Sequence, residues 1–139
     1  MVNQNRDGKM SRILIVDDDL GYSCLLSWLL KDNGYIVDHT FDADSALEMI
    51  NDSHYDALII DQWLSGCSGI DMVRRLREAN NRTGVILVTC LLPWELDQKT
   101  EGLEVWSVIE KMQVDKQEFL DVIEDAIRFT QVSSAGVNA

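Results

Sequence analysis

Three short, nearly unbroken apolar runs, each closed by a polar group, set what this chain can fold into. Ile13-Leu-Ile-Val16 is followed by Asp17-Asp18-Asp19. Tyr55 to Ile60 is followed by Asp61, and Val85-Ile-Leu-Val88 by Thr89. A strand with one wet face alternates apolar and polar residues. Runs without alternation fit strands buried on both faces, as in a parallel sheet covered by helices. Tyr35–Thr40 and Val105–Ile109 read as two further strands. Between the strands the apolar spacing turns helical. Tyr22, Leu25, Leu26, Leu29 and Leu30 form one stripe, ended by Asn33-Gly34. Ala43, Ala46, Leu47 and Ile50 form a second, and Ile70, Val73 and Leu76 a third. Pro93–Thr100 reads as a short fourth helix, and Phe119, Leu120, Ile123, Ala126 and Ile127 define a fifth. Strictly alternating strands and helices predict an α/β chain: a doubly wound, five-stranded parallel sheet with five helices and right-handed crossovers.

A length of 139 residues fits one domain with a core of its own. Its expected bounds are 11–131, with flexible termini at 1–10 and 132–139. The 24 acidic and 12 basic residues leave a net charge of −12. Phosphate backbones and anionic lipid repel such a chain, so neither direct nucleic-acid binding nor membrane association is expected. No apolar run approaches the ~20 residues of a membrane span. The polar N-terminus lacks a signal-peptide core, and the expected location is cytoplasmic. Cys24, Cys67 and Cys90 are odd in number and form no CxxC pair, so they read as reduced, buried, small apolar residues.

In an open parallel sheet, ligands bind beyond the carboxyl ends of the strands, where strand order reverses. Those ends carry Asp17, Asp18 and Asp19 after the first strand, Asp61 after the third and Thr89 after the fourth, with Lys111 just past the fifth. Gathered carboxylates repel one another, by about 4 kcal/mol for two unit charges ~4 Å apart at an effective dielectric of ~20. A hard divalent cation with oxygen ligands offsets that, and magnesium suits the site. Cation, ammonium and hydroxyl together suit a transferring phosphoryl group, and an ionised aspartate beside them can accept it as an acyl phosphate. Asp19 is expected to cap the first helix rather than bind metal.

These residues resemble the receiver domain of two-component response regulators. The motifs that carry the resemblance are Ile13 to Asp19, Tyr55 to Asp61 with Ser65-Gly66-Cys67-Ser68-Gly69, Val85 to Cys90, and Lys111; together they run over nearly the whole chain. The resemblance implies the flavodoxin-like receiver fold. It makes Asp61 the phosphoacceptor, and Asp17, Asp18, Asp61 and the backbone carbonyl of Trp63 the magnesium ligands. Thr89 and Lys111 would contact the phosphoryl group. It implies a sensor histidine kinase or histidine phosphotransfer protein as donor, and no sustained catalytic turnover. A downstream protein, or a second copy of the chain, would dock on the face of helix 4, strand 5 and helix 5, where Val122, Phe129, Trp106 and Val108 are candidates.

The chain differs from the family at Met112, where a proline usually follows the lysine, and at Val108, where an aromatic residue is usual. Trp106, two residues earlier, is expected to share the strand face of Val108 and to stand in for it. Two alternatives are a degenerate receiver serving only as an interaction module, and a small haloacid-dehalogenase-like phosphatase. The phosphatase would use Asp17 and Asp19, but Gly21 falls where a hydroxyl or small apolar residue is expected, and Glu124 and Asp125 fall within a helix. Arg74, Arg75, Arg77 and Arg82 read as a solvated face, and His39 and His54 as surface or strand-edge residues.

Overall fold

The computed structural model describes residues 10–90, 102–111 and 115–137, with side chains to residue 133. The expected fourth helix at 93–100, and Met112, lie outside the described residues. In chain order come β1 (Arg12–Val16), α1 (Leu20–Asp32), β2 (Ile36–Thr40), α2 (Ala43–Asp52), β3 (Ala57–Asp61), β4 (Trp63–Leu64), β5 (Cys67–Ser68), α3 (Gly69–Glu78), β6 (Val85–Thr89), β7 (Val105–Glu110) and α4 (Lys116–Val137).

The main sheet is five-stranded, in the order β2-β1-β3-β6-β7, and every pairing in it is parallel. The chain leaves β1 toward β2 and then crosses back to β3 on the other side, so the strand order reverses between β1 and β3. Alternate residues of each strand supply opposite faces. Ile13, Ile15, Ile59, Ile86 and Val88 join Leu26 and Leu30 of α1 and Phe119, Ile123 and Ala126 of α4. Leu14, Val16, Leu58, Ile60 and Leu87 join Ala43 and Ala46 of α2 and Ile70, Met72, Val73 and Leu76 of α3. Ile13 to Val16 have no exposed surface at all, which explains the missing alternation.

Local signals end the elements as the sequence suggests. Asp19 caps α1 by accepting from the backbone N–H of Tyr22, and Ser68 caps α3 through Asp71 N–H. At the end of α1, Gly34 takes a φ of 90°, and Tyr35 N–H returns to the Leu30 carbonyl.

Several expectations need correction. Leu25 belongs to the helical spacing of α1 but is 61% exposed, because α1 is covered on one side only. Cys24 and Cys90 are exposed and Cys67 half-buried; all three are free thiols, but none is a core residue. Arg77 is buried rather than solvated. Its guanidinium donates to the carbonyls of Asn81, Thr83, Leu103 and Glu104, tying the loop after α3 to the approach to β7. Trp106 and Val108 do not share a face. Val85 pairs with Val105 and Ile86 with Ser107, so Trp106 is an extra residue in a bulge. Val108 packs toward α2 and α3, whereas the Trp106 ring lies 5.5 Å from that of Phe129 on α4. The backbone of α4 is helical through Val137.

Candidate functional site

Each residue of the site is delivered by strand pairing. The N–H of Asp17 donates to the Thr40 carbonyl, carrying the β1–β2 ladder one residue on and leaving Asp17, Asp18 and Asp19 at its end. Gln62 N–H donates to Val88 O and so extends β3–β6 past Asp61. Thr89 pairs with Glu110, and Lys111 N–H donates to Thr89 O, which sets Lys111 at the same edge. Parallel pairing of β1 with β3, of β3 with β6 and of β6 with β7 thus brings together residues spread over 95 positions of sequence, from Asp17 to Lys111.

Carboxylate oxygens of Asp17, Asp18 and Asp61 all lie within 4.8 Å of one another. Asp17 and Asp61 are buried, and Asp18 is exposed. The Lys111 ammonium lies 3.0 Å from Asp17 Oδ2 and 3.5 Å from Asp61 Oδ2. Asp17 Oδ1 accepts from Asp19 N–H at 2.8 Å, and Asp61 Oδ1 from Trp63 N–H at 3.3 Å. Thr89 is fully buried at the end of β6. The Trp63 side chain is 57% exposed, while its backbone opens the β4–β5 hairpin.

Burial, followed by the charge of Asp17, pushes the Asp61 carboxyl up to about 6; Lys111 and the Trp63 N–H pull the other way. For Lys111, burial acts to lower the pKa, but the hydrogen bond to Asp17 and the charges of Asp61, Asp17 and Asp19 outweigh it and raise the value. The ammonium therefore stays charged. Among the described residues, three carboxylates against one ammonium leave excess negative charge on hard oxygen donors, one of them open to water. That donor set fits a hard divalent cation.

The structure brings together Asp17, Asp18, Asp61, Thr89 and Lys111, and sets Trp63 beside them. Asp19 caps α1 as expected. Glu124 and Asp125 lie within α4 rather than at a strand end, so the late acidic motif of the phosphatase alternative is missing from the place it needs. The roles of four residues here were not legible in the sequence. His39 uses Nε2–H to donate to the Asp17 carbonyl at 3.0 Å. Gln62 is buried, and its Oε1 accepts from Ile70 N–H at 3.0 Å in the first turn of α3. Gly69 leaves room for the Asp61 backbone. Tyr22, counted as one of a helical stripe, lies with its ring 4.8 Å from the Lys111 ammonium. Only the Gly69 position had a signal, as part of a glycine-rich loop.

The chain is similar to the regulator DltR of Streptococcus agalactiae, with 38% identity over 78 residues, 56% of this chain and 35% of DltR. It is similar also to the two-component response regulator PhoP of Pseudomonas aeruginosa, with 33% identity over 92 residues, 66% of this chain and 40% of PhoP. It thus spans well under half the length of these relatives. Among solved structures, the signal receiver domain of an HD domain-containing protein from Pseudomonas fluorescens superimposes with a TM-score of 0.82 at 23% identity, covering 90% of this chain and 92% of that one. The response regulator TrrA of Thermotoga maritima, solved with Mg–BeF, gives 0.75 at 24% identity, covering 84% and 99%. These two likenesses bear on the fold. The family model for the response regulator receiver domain matches residues 13–124, and the chain belongs to that family.

Proposed function

We propose that Asp61 is the phosphoacceptor of this receiver domain, with Asp17, Asp18, Asp61 and the Trp63 carbonyl as ligands of a magnesium ion, and Thr89 and Lys111 as phosphoryl contacts. The observation that supports this best is the Lys111 ammonium set between the Asp17 and Asp61 carboxylates. A carboxylate oxygen of Asp61 attacks the phosphorus of a phosphohistidine on a sensor kinase or phosphotransfer protein. The P–O bond forms as the P–N bond breaks, and the electron pair leaves on the imidazole nitrogen. Lys111 meets the charge on the transferring oxygens, and Thr89 can donate a hydrogen bond to one of them. Bound magnesium supplies Lewis-acid neutralisation of the same oxygens.

The product is a covalently modified receiver, so we read the chain as a switch rather than a turnover enzyme. Its functional unit is residues 11–131. Its output is a change in protein contacts on the face that includes β7 and α4, toward a downstream protein or a second copy of the chain. The relative DltR is a transcriptional regulatory protein, but the charge of −12 argues against direct nucleic-acid contact by this domain. Among the described residues no helix is long and apolar enough to cross a membrane. The free thiols suit a reducing compartment, and the cytoplasm is the proposed setting.

Intact-mass measurement after incubation with acetyl phosphate and magnesium tests the assignment. A single phosphoryl adduct is expected, lost on chelation of magnesium and absent in Asp61→Asn. An adduct of equal extent in Asp61→Asn overturns it.

A further inference from the structure

The Lys111 ammonium has three protons to place. Among the described residues its neighbours include Asp17 Oδ2 at 3.0 Å, Asp61 Oδ2 at 3.5 Å and the face of the Tyr22 ring at 4.8 Å. Tyr22 sits in the first turn of α1, where its backbone N–H is held by the Asp19 cap. Its ring packs against the core cluster shared by α1 and α4. It is therefore a fixed platform rather than a free surface side chain.

We propose that Tyr22 is a positioning residue for phosphoryl transfer, holding the Lys111 ammonium over the acidic site through its ring face. The proposal rests on the reading of Asp61 as acceptor. Lys111 must satisfy two geometries. Before transfer it bridges the Asp17 and Asp61 carboxylates; afterwards the Asp61 oxygen is bonded to phosphorus in an acyl phosphate and the charge lies farther out, on the phosphoryl oxygens. A hydrogen-bond acceptor in place of the ring would pin the ammonium to one direction. The attraction of a cation to a ring face is broad in angle, so the ammonium can move between the two positions without losing its third neighbour. The ring, not the hydroxyl, carries this role.

The test compares the wild type with Tyr22→Leu and Tyr22→Phe. Adduct formation is measured over a range of acetyl phosphate with saturating magnesium. The Lys111 ε-methylene resonance is followed by NMR in lysine-labelled protein. Tyr22→Leu is expected to lower the maximal rate by about five-fold, the size of a single cation–π contact. Its half-saturating donor concentration should not change, because Tyr22 acts on the Lys111 ammonium. Tyr22→Phe restores the rate. In the wild type the ring current moves the ε-methylene protons upfield; the shift persists in Tyr22→Phe and vanishes in Tyr22→Leu. A wild-type rate in Tyr22→Leu, failure of Tyr22→Phe to restore it, or no upfield shift in the wild type overturns the proposal. If the wild type itself takes up no phosphoryl group, the assignment of Asp61 fails instead, whatever the resonance shows.

Discussion

Gly69 lies directly against the backbone of Asp61: a Cβ at position 69 would come within 2.6 Å of the Asp61 carbonyl oxygen and 3.1 Å of Gln62 Cα. The start of α3 is thus pressed onto the segment that carries the candidate acceptor. Gly69 N–H donates to the Gln62 carbonyl across the same contact.

Because the obstructing atoms are backbone, Gly69→Ala cannot be absorbed by a rotamer change. It should destabilise the fold by about 2 kcal/mol, as overpacking does. Urea denaturation measures that cost. Adduct formation at Asp61 should fall as well, since the strand end must shift to make room.

Gln62→Leu keeps the volume but removes the acceptor of Ile70 N–H. A buried backbone donor left without its partner costs about 1–2 kcal/mol. The urea midpoint should drop accordingly, and amide exchange at Ile70 should accelerate. Unchanged exchange would mean that the first turn of α3 does not depend on Gln62.

Asp61 makes stability depend on pH. Its carboxyl titrates at about 6 in the folded protein against an ordinary 3.8, so the fold holds this proton more tightly than the unfolded chain does. The contribution is full below pH 3.8 and is lost as pH rises to about 6. In magnesium-free buffer the urea midpoint of the wild type should therefore fall over that window relative to Asp61→Asn. The difference between the two proteins should level off above it. Parallel profiles would show that Asp61 does not carry this effect.

Arg77→Met should cost about 3 kcal/mol, because four carbonyls lose charge-assisted donors in a buried setting. Arg77→Lys should recover little of it, since an ammonium cannot reproduce the planar fork of donors. Thermal unfolding of the two variants gives the comparison. The loss should be accompanied by a change in Trp106 emission, because the Leu103 and Glu104 carbonyls lead into β7.

Much of this protein is determined by residue type and spacing alone. Apolar runs without alternation, at Ile13–Val16 and Val85–Val88, require strands buried on both faces. Strands of that kind alternating with helical stripes leave few topologies besides a doubly wound parallel sheet. Because such sheets bind at their carboxyl ends, the polar residue closing each run was a site candidate before any geometry was known. Asp17, Asp18, Asp61 and Thr89 were candidates for that reason, and Lys111 because it lies just past the fifth strand.

Tertiary structure decided what depends on register and on contacts between distant segments. The parity of β7 illustrates this. Trp106 and Val108 are two residues apart and would share a face in a regular strand, but pairing with β6 inserts Trp106 as a bulge and turns it toward Phe129. Arg77 looked like one of several surface arginines, and only the return of residues 103 and 104 to its side creates the four carbonyls that bury it. Tyr22 had the spacing of a core residue, and spacing cannot reveal that a lysine 89 positions later ends over its ring. A helical or strand period states which side of an element a residue occupies. What it meets there is set by elements packed from elsewhere in the chain, and no local pattern encodes it.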